Sequence, residues 1–460
     1  MVQERNPAGC LVRALLAAAL LLVAIAVVTT FWVGSPPAVE IRPGAKGIGR
    51  KTPITVRLDD TGRVEKVRIE LVQGMDVTLV GEKSFAPHPA WAFWKQAVPG
   101  ELTVDVGRDT VKGLRSGEAT IRATAERAGS WLRHPEPAVA EVKLPVRLAP
   151  PTLGLVSTQH YVAQGGCEVV VYRTGDSAVK DGVRSGAWWF PGFPLPGADS
   201  HQRFAFYAVP WETTDASAVR LVAIDDVGNE ATISFVDQFF PKPVKVDTIQ
   251  LTDTFLGKVV PEIMEQTPDV RDQGDLLKNF LAINGDLRRK EAAFLQDLAA
   301  KSAHAFLWSQ PFLPMKNAKI TAAFAQRRTY VYQGKPVDQQ THLGFDMASV
   351  QRDAVPASNR GVVVLARFLG IYGNAVVIDH GYGLMSLYGH LSSIAVHEGQ
   401  QVERGQELGR SGSTGLAGGD HLHFTLLLDG LPVNPVEWWD PHWIRDRIAR
   451  KLGPAFKYAG

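Results

Sequence analysis

Four hundred and sixty residues, at about 150 per domain, predict roughly three folded units and exclude a single small domain. Hydrophobic residues at 45% and charged residues at 21% exclude a largely disordered chain and a multi-span membrane protein. A formal net charge of +2 advertises no polyanion partner, so nucleic acid is excluded; two cysteines, Cys10 and Cys167, exclude a disulfide framework and a four-cysteine zinc site. Any metal must be held by histidine and carboxylate.

The first predicted element is the run of 20 uncharged residues from Ala14 to Val33. A helix of that length, rising about 1.5 Å per residue, spans the roughly 30 Å hydrocarbon core of a bilayer. Arg5 and Arg13 precede it, the arrangement of a signal anchor with residues 1–13 as a short cytoplasmic N-terminus and 14–33 as the span. The exit, Thr30-Phe31-Trp32-Val33-Gly34, lacks an A-x-A cleavage site, and Cys10 precedes the run rather than following it, so neither a cleaved signal nor a lipoprotein is expected. The expectation is a single-pass protein of the cytoplasmic membrane with its bulk in the periplasm or extracytoplasmic space. Arg42, Lys46, Arg50 and Lys51 follow the run and outnumber the two preceding arginines, so charge alone does not fix the orientation.

Residues 36–149 carry period-2 apolar runs, such as Ile54, Val56 and Leu58, then Val67, Ile69 and Leu71, punctuated by Gly and Asp. They predict a small sandwich-like β domain. Pro150-Pro151 marks its end, and 152–240 reads as a second, Ig-like β module with strands at Val169 to Arg173, Phe204 to Ala208 and Val219 to Ala223. Residues 247–310 change to helical spacing, with Leu277, Phe280, Leu281, Leu287, Phe294 and Leu298 among charges, and are expected to form a helical connector. Residues 316–440 return to Gly- and Val-rich β patterning, and a closing helix is expected in 441–460, beginning near Pro435. The fold class is therefore mostly β with a helical connector and an N-terminal transmembrane helix.

Three pieces of the last β segment carry chemistry. In Thr341-His342-Leu343-Gly344-Phe345-Asp346, an extended chain puts His342 and Asp346 on one face, where an imidazole and a carboxylate can converge on one ion. In His421-Leu422-His423-Phe424, strand period puts both imidazoles on one face while Leu422, Phe424 and Leu426 face a core. The third piece is His390, in Tyr388-Gly389-His390-Leu391. Two histidines and an aspartate leave one tetrahedral position for water, the layout of a catalytic zinc site suited to amide hydrolysis. His390, and whichever of His421 and His423 does not bind metal, are candidates for moving the proton. His397-Glu398 does not extend to H-E-x-x-H, and no lysine lies between His342 and Arg450 to serve a lipoyl-type carrier.

At these residues the chain resembles the lysostaphin-type, or LytM-like, zinc endopeptidases that cut peptidoglycan cross-links. The resemblance runs from about Lys319 to Trp439 and includes Tyr372-Gly373-Asn374, Asp379-His380-Gly381 and Gly412-Ser413-Thr414-Gly415. It implies an antiparallel β peptidase domain, His342, Asp346 and His423 as ligands of one Zn²⁺, and His390 and His421 as catalytic residues. It implies peptidoglycan peptides as substrate, and with the N-terminal span the expectation is a bilayer-anchored enzyme of wall remodelling, with other cell-wall enzymes as further partners. Some relatives are catalytically silent and instead activate a wall amidase; they usually lose ligands, whereas all five positions survive here. Two departures bear on the cleft: Gly418-Gly419-Asp420 stands where Thr-Gly-Pro usually precedes H-x-H, and Thr425 stands where an acidic residue usually follows the Phe.

Overall fold

The structure is a computed structural model that describes residues 7–460 except 91 and 93, with side chains from residue 11 onward. Arg5 and the Cys10 side chain lie outside the described residues. The chain divides into two compact units, Met1–Pro151 with Ile224–Glu230, and Thr152–Ala223 with Ala231–Gly460.

The first unit opens with the helix Pro7–Phe31, whose stretch Leu11–Phe31, 21 residues of mean hydropathy 2.8, is long and apolar enough to cross a membrane. Two antiparallel sheets follow. One orders Val39–Pro43, Thr52–Leu58 and Gly100–Val106, and the other orders Asp76–Ser84, Val64–Gln73, Gly117–Arg127 and Ala138–Val146. The alternation read in the sequence is the packing: Ile54, Val56, Val67, Ile69, Leu71, Ile121 and Ala123 share one core while their neighbours along each strand face outward.

The strands of residues 152–240 pair among themselves in two four-stranded sheets, one ordered Phe193–Pro194, Gln202–Ala208, Cys167–Thr174 and Leu153–Leu155, the other Trp188–Pro191, Ala178–Ser185, Val219–Asp225 and Glu230–Ile233, and within the second unit they share a core with the segment that follows. The strand Cys167–Thr174 is buried on both faces over most of its length, and Val169, Phe204 and Phe206 belong to the same core as Phe345, Leu422, Phe424 and Trp438. That second buried face is why strict alternation is missing there. The peptidase-like sheet runs in the order Lys319–Ala322, Phe345–Ala348, Leu422–Leu428, Leu384–Leu391, Asn374–Gly381, Gly361–Phe368 and Gln401–Val402, with Leu431–Val433 also paired to Leu422–Leu428. The closing helix runs without interruption through α- and π-helical turns from Pro441 to Leu452, set off from the short helix Pro435–Trp439 by one break at Asp440. Pro435–Trp439 ends at Asp440, which caps a new start at Pro441 by accepting from His442 N, because Pro441 has no N–H to continue the first helix.

The segment expected to be a connector is built into the same unit. Val246–Leu251 pairs in parallel with Gln326–Tyr332, which in turn pairs with Lys335–His342. Thr252 caps Asp253–Gln266 and Asp275 caps Leu276–Ala282, each side chain accepting from a backbone N–H three residues on. Leu256, Val259, Val260, Ile263, Phe280 and Ile283 pack with Tyr330 and Ile371 of the peptidase-like region. The helix Arg288–Ala299 adds Glu291, which accepts from Ile371 N at 3.2 Å.

Burial pushes the Glu291 carboxyl up to about 8 from 4.5. Between those values the unfolded chain releases a proton that the folded chain keeps, so the stability this group contributes at low pH is lost as pH rises. Glu291→Gln is therefore expected to stabilise the protein by roughly 2–4 kcal/mol near pH 8 and hardly at all near pH 4.5. Thermal unfolding followed by circular dichroism at both values checks this; the same shift at both would remove burial of the charge as its cause.

Candidate metal centre and cleft

His342 ends the strand Lys335–His342, and Asp346 lies in the next strand, Phe345–Ala348. The two do not share one continuous strand, as extended spacing predicts. Leu343-Gly344 breaks the run, so His342 stays opposite Gln326 while Asp346 moves into the other sheet opposite His423. Only glycine fits the break, since a Cβ on Gly344 would lie 2.6 Å from Thr425 Oγ1 and 2.7 Å from the His423 ring. The turn is what brings the imidazole and the carboxylate together.

His342 Nε2, Asp346 Oδ1 and His423 Nδ1 lie 2.9, 3.1 and 2.9 Å from one another. All three residues are buried, and together they form a group able to hold a metal ion. The hydrogen bonds behind them fix what they present. His342 Nδ1 donates to Ala323 O at 3.1 Å, leaving a lone pair on Nε2. Thr425 Oγ1 donates to Leu343 O at 3.0 Å, so it accepts from His423 Nε2 at 2.9 Å and leaves a lone pair on Nδ1. Two imidazole lone pairs and a carboxylate oxygen thus face one point, a repulsive arrangement unless a cation lies between them. Tetrahedral ligands at about 2.0–2.1 Å from zinc stand roughly 3.3 Å apart, so these nitrogen and oxygen donors fit that ion with little movement.

The other two histidines face the same place. His421 Nδ1 donates to Gly419 O at 2.8 Å, turning Nε2 towards Asp346 Oδ1 at 3.5 Å. His390 Nδ1 donates to Thr414 O at 2.9 Å, and its ring centroid is 4.8 Å from that of His421. The His390 backbone has φ 64°, a left-handed conformation rare for a branched ring residue, held here by the packed loops beneath it. Those loops interlock at Gly373, φ 61°, where a Cβ would meet Thr414 Oγ1 at 2.3 Å. The Tyr372-Gly373-Asn374 and Ser413-Thr414-Gly415 segments are therefore the support for His390.

The electrostatics follow from burial and from Asp346. Burial works to raise the Asp346 carboxyl, but positive charge beside it, His342 first when that ring is protonated, outweighs burial and holds the group well below the usual range; a metal ion held between neutral imidazoles acts on it in the same direction. Burial, with the neighbouring His421 and His423 charges, pushes His390 well down, and burial takes His423 to about 4. Burial also opposes protonation of His421, yet its hydrogen bond to Asp346 and that residue's charge move it up.

Arg328, to which the sequence pointed in no way, donates from Nη2 to Asp346 Oδ2 at 2.7 Å. It leaves Oδ1 to the metal group. Arg328 and Tyr330 share one face of Gln326–Tyr332 by period 2, a signal usable only once that strand is known to pair beside His342. The connector contributes as well: Ile249, Gln250, Phe255 and Arg288 join the five predicted residues, Arg328 and Tyr372 around one cavity of about 330 Å³. The two departures from the family pattern have definite places. Asp420 accepts from Ser411 Oγ at 2.6 Å and Arg352 N at 3.0 Å, pinning the loop whose Gly419 carbonyl orients His421. Thr425 supplies the acceptor that orients His423. His380, by contrast, is an internal strut, bonded to Arg360 O and Ser386 Oγ.

Comparison with known proteins places the segment that carries most of this site in a known family. Residues 340–435 match Peptidase family M23, so the chain carries a Peptidase M23 domain, and the residues lining the cavity lie within that match apart from Arg328, Tyr330 and the connector wall. Over 121 residues the chain is 42% identical to the peptidoglycan DD-endopeptidase ShyA of Vibrio cholerae, covering 26% of this chain and 27% of that one. Over 95 residues it is 40% identical to the murein hydrolase activator EnvC of Escherichia coli, covering 21% and 23%. The solved catalytic domain of lysostaphin from Staphylococcus simulans is 27% identical, covering 27% of this chain and 92% of that domain, with a TM-score of 0.24. The matches span about a quarter of the length of these curated relatives.

Proposed function

We propose that this protein is a membrane-anchored, zinc-dependent endopeptidase that hydrolyses peptide cross-links of bacterial peptidoglycan. The observation that carries this reading is the convergence of His342 Nε2, Asp346 Oδ1 and His423 Nδ1 on one point, beside two further imidazoles, in a cavity of an M23 domain. Zinc held there supplies Lewis acidity towards a carbonyl and a water made acidic enough to attack near neutral pH. The chain's own residues do the rest. With Nδ1 of His390 and of His421 each committed to a backbone carbonyl, their Nε2 atoms are left to take a proton from water and return it to the leaving amine nitrogen. The apolar walls of Ile249, Phe255, Ile371 and Leu416 seat the peptide and exclude bulk water. The helix Pro7–Phe31 is the anchor, with the wall-facing bulk of the chain outside the cytoplasmic membrane.

A second reading, a silent domain that activates a wall amidase, is favoured by the similarity to EnvC. It gives no reason for five convergent metal and proton-transfer groups. Digestion of purified peptidoglycan by the full chain in detergent micelles, with fragments identified by mass spectrometry, separates the two. The expected result is cleaved cross-links, lost on chelation and restored by about one equivalent of zinc per chain. Unchanged fragments with zinc-loaded protein, together with faster hydrolysis by an added amidase, would establish the activator instead.

A further inference from the structure

The cleft holds one cation whose bonding capacity the fold leaves open. Arg288 begins the helix Arg288–Ala299 and lines the cavity with Asp346, Tyr372, His390 and His421. Its Nε donates to Asn284 O at 3.1 Å and its Nη2 to Asn284 Oδ1 at 2.6 Å. Asn284, fully buried, is itself fixed by Nδ2 donating to Asp338 Oδ2 at 2.7 Å. One edge of the guanidinium is therefore locked to the π-helical turn Ile283–Leu287, and the opposite edge, Nη1 with the second hydrogen of Nη2, is not used.

Among the described residues, Nη1 has no hydrogen-bond partner and Arg288 forms no ion pair. The neighbouring carboxyl on its helix, Glu291, accepts from Ile371 N and forms no ion pair with Arg288, and burial favours its neutral form. The other arginine of the cleft, Arg328, is already paired with Asp346. A planar guanidinium fixed by one edge and open at the other, between apolar walls, is built to receive a carboxylate through two parallel hydrogen bonds. The cavity, about 330 Å³, lies at the small end of ligand sites, roughly 300–1,000 Å³, so a group held by Arg288 belongs to a residue next to the bond being cut.

We propose that Arg288 anchors a free carboxylate of the peptide substrate, making the cleft selective for peptides that carry a negative charge beside the scissile bond. This rests on the peptidase reading. The carboxylate has two sources, the C-terminus of a peptide stem or the side chain of a diacid residue in the cross-link, and both present the same group to Arg288. The selectivity is a property of the connector, since the peptidase-like sheet alone contributes no such free cation to the cavity.

The test uses the zinc-loaded full chain in detergent micelles and three matched cross-linked peptides: one with free acids, one amidated at the stem terminus, one amidated at the diacid side chain. KM and kcat are measured for the unmodified chain, Arg288→Gln and Arg288→Lys. A charge-assisted pair of this kind predicts about 10- to 100-fold discrimination in KM against one of the two amides, and the amide that suffers identifies the source. Arg288→Gln should remove the difference and Arg288→Lys keep part of it. Equal KM for all three peptides, or discrimination that survives in Arg288→Gln, overturns the proposal. If no peptide is cut, the peptidase reading is at fault, and Arg288 is judged by calorimetric binding of the same peptides to the unmodified chain: tighter binding of the free acid supports the anchor, while equal or undetectable binding rejects it.

Discussion

His423→Ala is expected to empty the metal site and abolish hydrolysis, whereas His421→Ala and His390→Ala should keep the metal and lose about 10²- to 10⁴-fold in rate, the usual span for a positioned acid or base. The neighbours differ because of what holds their rings. His423 is clamped by Thr425 so that Nδ1 points at Asp346 Oδ1 2.9 Å away, while His421 is clamped by Gly419 with Nε2 held at 3.5 Å. The closer atom completes the three-donor group, and the farther one is placed to reach a substrate. Metal content and initial rate measured on the three purified variants decide it. A metal-free H421A beside a metal-bound H423A would reverse the two roles.

How much of this was open to sequence depends on how local each contact is. His342 with Asp346, and His421 with His423, are close in the chain, so their spacing alone marks them as a group that strand geometry can bring together. The mechanism of convergence was not legible, because it depends on Gly344 breaking the strand under the His423 ring, a contact across about 80 residues. The apolar spacing of the connector at Leu277, Phe280, Leu281 and Leu287 disclosed a helix with a face to bury, and Phe280 and Leu287 do bury it, whereas the helix Asp253–Gln266, with Val259, Val260 and Ile263 buried, was not read from that spacing. Period says nothing about what covers such a face. Here the cover includes Tyr330 and Ile371, and that docking turns a presumed spacer into a wall of the cleft carrying Arg288. The second β module shows the same limit: strands buried on both faces lose the alternation that would have announced their partner.

Arg328→Ala is expected to weaken metal binding by about 10- to 100-fold, the range found when a group behind a metal ligand is removed. Two effects oppose each other. Deleting a cation next to the site increases the negative charge seen by the metal, which favours binding, but it also frees the Asp346 carboxylate to turn. The second effect should win because the pair is largely shielded from water: Arg328 Nη2 meets Asp346 Oδ2 at 2.7 Å with side-chain exposures of 19% and 11%. A buried carboxylate that loses its partner pays desolvation with nothing fixing its orientation, and Oδ1 no longer faces both His342 and His423. Arg328→Lys separates the two effects by restoring charge without the planar fork, so it should recover only part of the affinity. Competition with a zinc chelator on the unmodified chain and both variants provides the measurement. Tighter zinc binding by Arg328→Ala would show that charge, not orientation, is what Arg328 contributes to the site.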